Sequence, residues 1–179
     1  MALKGSSMSG QSEPPAAPEK IIDGKSFWGT LGQRPIGASI VTAQGADGPA
    51  GFLALSAAHV TANPPTMLVS IDDRTAALGG LIHGRHFAIN YLPADAQDIA
   101  EMFGGKGPLK GPGRFQAGRW HTLTSGAPVF KDAVGVIDCV LEDTFRHATT
   151  TIAIGRVVDL AARGDAEALV FFRGMYSKL

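Results

Sequence analysis

Ala50–Thr75, AGFLALSAAHVTANPPTMLVSIDDRT, decides how this chain is read. Between Gly51 and Ala58 only Ser56 is polar and nothing is charged, so this half is expected to form a strand packed on something apolar. Asn63-Pro64-Pro65 is a breaker that neither a helix nor a central strand tolerates. Thr66–Ile71 is a second short apolar run rich in β-formers, which predicts strand, tight turn, strand. It ends in Asp72-Asp73-Arg74-Thr75, where a guanidinium and a hydroxyl meet the start of a helix predicted over Thr75–Ile82. Free N–H groups, a Thr and an Arg at a helix start make an anion site that suits a phosphate. A flat apolar wall ending in such a socket points to a nucleotide-like cofactor. The same residues also fit a plain hairpin whose Asp, Arg and Thr only cap a helix, and the local sequence leaves both readings open.

The whole chain, at 179 residues, is the size of one domain, and such a chain buries enough surface to need no disulfide or structural metal. Sixteen basic and sixteen acidic residues cancel, which argues against a nucleic-acid partner. The one cysteine, Cys139, lies in the alternating run AVGVIDCVL and is expected to be a buried thiol without a catalytic role. No apolar run approaches the roughly 18 residues of a membrane span, and no signal-peptide core precedes the fold. A cytoplasmic protein is expected.

Residues 1–22 lack any hydrophobic period and are expected to be a disordered tail, with the domain proper over 23–179. Asp23–Leu31 predicts a short helix with Phe27, Trp28 and Leu31 on one side. Strands are predicted over Gly37–Ala43, His86–Leu92, Ala133–Glu142, Thr149–Asp159 and Ala168–Phe172, and a helix over Pro93–Phe103. Gly104–Arg119, with six glycines and two prolines, is read as a surface loop; Gly107 and Gly111 follow its lysines, where a Walker loop needs Ser or Thr. Six or seven short strands with short helices inserted predict a mainly β fold, a closed or nearly closed antiparallel barrel of Greek-key character. Hydrolase elbows and a dinucleotide-binding glycine motif are missing, and the five histidines, His59, His83, His86, His121 and His147, are scattered, so no metal site is expected. A chain without an obvious acid, base or nucleophile fits chemistry carried by a cofactor.

From about Phe27 to Leu179 the chain resembles the flavin reductase-like family, the FMN-binding split barrels. Gly51–Pro65 matches a pattern G-x-T-A-S-S-x-x-S-V-S-x-x-P-P through Ala54, Ser56, Val60, Thr61, Pro64 and Pro65. Pro35 with Ile40-Val41-Thr42 is similar to the first strand of the family, Phe87–Leu92 to its F-x-V-N-x-L strand, and Gly126-Ala127-Pro128 to its small-residue turn. Ile152–Val157 resembles its I-x-I-G-x-V strand and Ala168–Tyr176 its C-terminal ending.

The resemblance implies a homodimer of split barrels binding FMN or FAD, with NADH or NADPH passing a hydride to flavin N5. The reduced flavin would feed a partner monooxygenase. By position, Leu53, Ala54, Leu55 and Ser56 would line the flavin ring, with Pro35 nearby, and Asp72, Arg74 and Thr75 would lie at its phosphate. Arg173 and Tyr176 would border the substrate side, where surface charge and core packing are the plainer reading. The sequence departs from the family at Leu53 and Leu55, which replace Thr and Ser, and at Ala148-Thr149-Thr150, which replace a G-D-H triplet. With that His gone, His147 and Thr150 are the candidates on the nicotinamide side. The departures keep a second function in view: a flavin-binding electron carrier, or a flavin-dependent reductase of another acceptor such as a metal complex.

Overall fold

The structure, a computed structural model, describes residues 20–179. Of the tail expected over 1–22, residues 1–19 therefore lie outside the described part, and 20–22 are exposed and irregular. Helix α1 (Gly24–Leu31) starts where Asp23 caps it: the carboxylate accepts from the Ser26 N–H at 3.0 Å and from the Ser26 hydroxyl at 2.7 Å. None of its residues is buried.

Strands β1 (Ile36–Gly37), β2 (Ser39–Gly45), β3 (Gly48–Ala54), β4 (Ala58–Ala62) and β5 (Pro65–Asp72) follow. Next come α2 (Ala77–Gly84), β6 (His86–Tyr91), α3 (Gln97–Phe103), a 3₁₀ turn at Gly111–Arg114, and the short pair β7 (Trp120–Thr122) and β8 (Pro128–Phe130). The chain ends with β9 (Gly135–His147), β10 (Thr150–Ala162), β11 (Leu169–Phe172) and β12 (Met175–Lys178). Seven strands form one antiparallel sheet in the order β3-β2-β6-β9-β10-β5-β4. β6, β9 and β10 are neighbours, and β5 returns across them to lie beside β10, the Greek-key arrangement expected from the strand pattern. The two edge strands, β3 and β4, are joined by only Leu55-Ser56-Ala57, so the sheet must curl until its edges meet. That closure makes the barrel. β1, β11 and β12 form a separate three-stranded sheet.

The hairpin expected across Ala50–Thr75 is corrected in one respect. β5 pairs with β4, Ala58 opposite Leu68, while the strand before it, β3, pairs with β2 on the far side of the sheet. The break at Leu55–Ala57 carries no Gly or Pro, so its apolar side chains read as a continuing strand. β4 itself is exposed throughout and carries no apolar alternation to announce it. The helix expected from Thr75 begins two residues later, at Ala77, with no side-chain cap at Ala76.

Inside the barrel, Val41, Val69, Ile71, Phe87, Ile89 and Leu141 are almost completely buried. A second apolar cluster gathers α3, β8 and the base of β11 around Ile99, Phe103, Val129 and Phe130. Between the two lies a polar knot. Buried Asn90 donates through Nδ2 to the Ile40 carbonyl and to the Thr42 hydroxyl, both at 3.1 Å, and its Oδ1 accepts the Phe130 N–H at 2.8 Å.

Gly155, in β10, explains itself by contact. A Cβ there would lie 2.5 Å from Phe87 Cε1 and 3.0 Å from Cys139 Cβ, both within fully buried residues. Gly155→Ala is expected to destabilise the fold by about 1–3 kcal/mol, because the ring has no room to move aside. A lower urea midpoint at unchanged slope would show it; an unchanged midpoint would mean that Phe87 relocates freely.

Candidate functional site

Ser39 donates its hydroxyl to the Ala54 carbonyl at 2.7 Å and pins the last residue of β3. Beyond it the chain leaves the ladder, so the N–H groups of Leu55, Ser56 and Ala57 take no part in sheet pairing. Leu53, Leu55 and Ser56 line a groove of about 510 Å³. Trp28 from α1, Ile36 from β1 and Phe171 from β11 line it as well. The lining is mostly apolar, with Arg34 as its cation, and its volume falls in the roughly 300–1,000 Å³ range of small-molecule and cofactor sites. Ala54 is buried and faces away from it.

Ser56 also leads to the second half of the site. Its hydroxyl donates to the Ser70 carbonyl at 2.9 Å, two residues before Asp72. Asp72 accepts the Arg74 N–H and Nε at Oδ1, and Nη2 at Oδ2, each at 2.9 Å. This two-pronged pair holds the Asp72 carboxyl down at about 2 and raises Arg74, so both are charged at neutral pH. The Arg74 side chain is 90% exposed, leaving its remaining donors open to an incoming anion. Thr75 donates its N–H to the Asp72 carbonyl at 2.8 Å, its own carbonyl accepts the Leu78 N–H at 2.9 Å, and no side chain caps α2.

Strand register gathers further residues here. Thr150 stands opposite both Asp72 and His147, which places the three in one row across β9, β10 and β5 on a single face. Phe145, Ile152 and Ser70 form the next row. His147 is exposed at the hairpin end, beside Ala148 at φ +51°. Asp73 braces the corner, accepting from Arg146 Nε at 3.0 Å and from the Thr151 hydroxyl at 2.9 Å.

Other candidates sit further out. Pro35 is exposed between two groove residues, Arg34 and Ile36. Arg173 ties the C-terminal sheet to the end of α1: its N–H donates to the Gly32 carbonyl at 3.0 Å and its Nε to Gln33 Oε1 at 2.9 Å. Its guanidinium stacks on Phe172. Tyr176 packs edge-on against Phe171 at 5.2 Å, and burial pushes its hydroxyl pKa up. Arg173 thus forms a surface tie and Tyr176 packs on the C-terminal sheet, next to groove residues Phe171 and Gly174. Sequence reasoning missed Trp28, Arg34 and Phe171 as groove residues. The available signal was α1 itself, a capped helix with an aromatic side and nothing nearby in sequence to cover it.

Cys139 is a free, buried thiol whose pKa burial pushes up to about 12. The folded protein is therefore expected to resist iodoacetamide at pH 8 and to react once in urea, as mass spectrometry would show. Labelling of the native protein at the unfolded rate would contradict the burial. Among the described residues no group of three potential metal-binding side chains comes together.

A flat ligand with a polar edge and an anionic end fits this arrangement, and comparison with known proteins points the same way. The model of the flavin reductase like domain matches residues 31–179. The chain is 35% identical over 167 residues to the FMN reductase (NADH) RutF of Agrobacterium fabrum, covering 93% of each. Its fold superposes on BorF, the flavin reductase component of a bacterial two-component tryptophan halogenase, with a TM-score of 0.81 and 26% identity, covering 88% of this chain and 98% of that one. The NADH:FAD oxidoreductase SgcE6 of Streptomyces globisporus gives 0.79 and 25%, covering 90% and 98%. With the expected split barrel in place and the family match running from the end of α1 to the C-terminus, this chain belongs to the flavin reductase-like family.

Proposed function

We propose that the protein, as a domain spanning residues 23–179, is an NADH-dependent flavin oxidoreductase with FMN as its preferred flavin. The observation that carries the reading is the groove at Leu53–Ser56, where a strand end leaves its ladder beside an apolar wall, with Ser56 bonded to β5, the strand that leads to an exposed Arg74. The residues present fit a flavin: Leu53 and Leu55 offer a face to a flat ring, and the N–H groups beyond Ala54 offer donors to its polar edge. Arg74 and Thr75 offer charge and a hydroxyl to a phosphate. Leu53 and Leu55 supply no side-chain hydroxyl, so recognition of the ring edge falls to backbone and to Ser56.

Bound flavin supplies the acceptor for a hydride from reduced nicotinamide. The chain's own work is to hold two flat groups in contact, to exclude water from between them, and to neutralise their phosphates. No side chain is required to move a proton, which fits a site whose charged groups are Arg34, a locked Asp72–Arg74 pair and Asp73 paired with Arg146. Thr150, in the row with Asp72, is the hydroxyl nearest in register to the phosphate end.

The relatives' names favour FMN and NADH, and we assign a flavin-dependent monooxygenase as the consumer of the reduced flavin. We also propose a homodimer that works in the cytoplasm. Val60 and Phe145 leave apolar surface exposed on β4 and β9, 48% and 59% respectively, as a subunit contact would need. Among the described residues no helix is long and apolar enough to cross a membrane. Mixing the protein with NADH and excess free FMN, and following the nicotinamide absorbance, tests the function. Many turnovers are expected. Bound yellow colour without turnover would favour the electron-carrier reading instead.

A further inference from the structure

Arg74 and Arg34 are placed differently. Arg74 is held by Asp72 at the end of β5 and does not line the groove. Arg34 does line it, in the segment between α1 and β1. Among the described residues no carboxylate lies within ion-pair distance of the Arg34 guanidinium, and no hydrogen bond holds it. A guanidinium on an apolar groove, with Trp28 and Phe171 in the same lining, matches a ligand with flat rings and a separate anionic group.

We propose that Arg34 binds the pyrophosphate of the nicotinamide dinucleotide, with Trp28 and Phe171 as the apolar surfaces beside its flat groups. This rests on the flavin-reductase reading above. FMN brings one phosphate and NADH one pyrophosphate, so the reaction needs two anion contacts. Arg74 answers the first at the β5 end. Arg34 answers the second at the α1 end, and Ser56 touches both halves of the site, lining the groove with Arg34 and bonded to the strand that leads to Arg74. The position of Arg34 is fixed from the chain on both sides: its own N–H donates to the Leu31 carbonyl at 3.2 Å, and Ile36 pairs with Phe171. α1 reaches the barrel through that same short segment and through the Arg173 contacts with Gly32 and Gln33.

The test uses the full-length protein saturated with FMN. Calorimetric titration with NAD⁺ reads binding. Initial rates with NADH, and with 1-benzyl-1,4-dihydronicotinamide, which has the reactive ring but no pyrophosphate, read use of the anion contact. For Arg34→Gln, NAD⁺ affinity is expected to fall about ten- to a hundredfold, and the KM for NADH to rise by a similar factor. The loss with the benzyl compound, which has no pyrophosphate for Arg34 to meet, should be at least several-fold smaller than the loss with NADH. Arg34→Lys, which keeps a point charge but not the fork, should recover part of the loss. Unchanged NAD⁺ affinity overturns the proposal. So does weakened FMN binding in place of weakened NAD⁺ binding, or an equal loss with the benzyl compound. A changed oligomeric state with NAD⁺ affinity intact would make the groove a contact between copies of the chain and would also overturn it. If the parent protein with FMN neither binds NAD⁺ nor oxidises NADH, the functional reading fails first; if it does both and Arg34→Gln is silent, only this inference fails.

Discussion

Arg74→Ala is expected to weaken FMN binding about ten- to a hundredfold while leaving riboflavin binding within about twofold. The reason lies in how the guanidinium is held. Two of its donors are engaged by Asp72, which fixes the plane of the fork, and the others face solvent at a 90% exposed side chain. A phosphate arriving there meets a pre-oriented charged donor, and a charge-assisted hydrogen bond contributes about 1.5–3 kcal/mol. Riboflavin has the ring but no phosphate, so it should not sense the loss. Asp72→Asn offers a second view: it removes the carboxylate that competes for the fork but also the constraint that aims it. Because Asp72 titrates at about 2, the pair persists through any working pH, and only strong acid, falling through that value, dissolves it. Fluorescence titration of both flavins against parent and variant decides the matter. Equal weakening for FMN and riboflavin would move the phosphate away from Arg74.

Asn90→Ala is expected to be strongly destabilising for a polar truncation in the core, costing about 2–4 kcal/mol. One side chain serves three strands: it donates to β2 at Ile40 and Thr42, and accepts from β8 at the Phe130 N–H. Its removal strands the Phe130 N–H and the Ile40 carbonyl's side-chain contact in a site closed to water, and each orphaned buried group costs about 1–3 kcal/mol. The missing volume adds a cavity cost. Part of the loss is offset because the Thr42 hydroxyl keeps its bond to the Pro128 carbonyl. Chemical denaturation would show the drop as a lower midpoint. A drop below about 1 kcal/mol would mean that water or a shifted Thr42 replaces the amide.

The barrel was legible because its strands alternate. β6 and the two long strands β9 and β10 carry apolar residues at every second place, and their pairing as an antiparallel hairpin follows from the short polar connection between them. The turn at Asn63-Pro64-Pro65 was equally plain. What escaped was the change of direction at Leu55–Ala57. An apolar tripeptide looks the same whether it continues a strand or leaves the sheet to line a groove, and only the closed barrel distinguishes them. Of the short strands that escaped, β1 is made a strand by β11, far along the chain, whereas β4, β7 and β12 pair with sequence neighbours but are too short or too exposed to show an apolar alternation.

For the site, residue type carried as far as Arg74 and Asp72, whose proximity in sequence is their proximity in space. Thr150 and His147 entered through the family resemblance, and strand register brings Thr150 to Asp72 across β10 and β5. Arg34, Trp28 and Phe171 come from three separate segments. No local pattern joins them, so their meeting in one groove had to be seen in the fold.

A crystal of the protein grown with FMN tests the central claim most directly. The account requires the ring to lie along Leu53–Ser56 with donors from the backbone beyond Ala54, and the phosphate to sit against Arg74 and Thr75. A ring bound in any other cleft, or a phosphate pointing away from the end of β5, would contradict it.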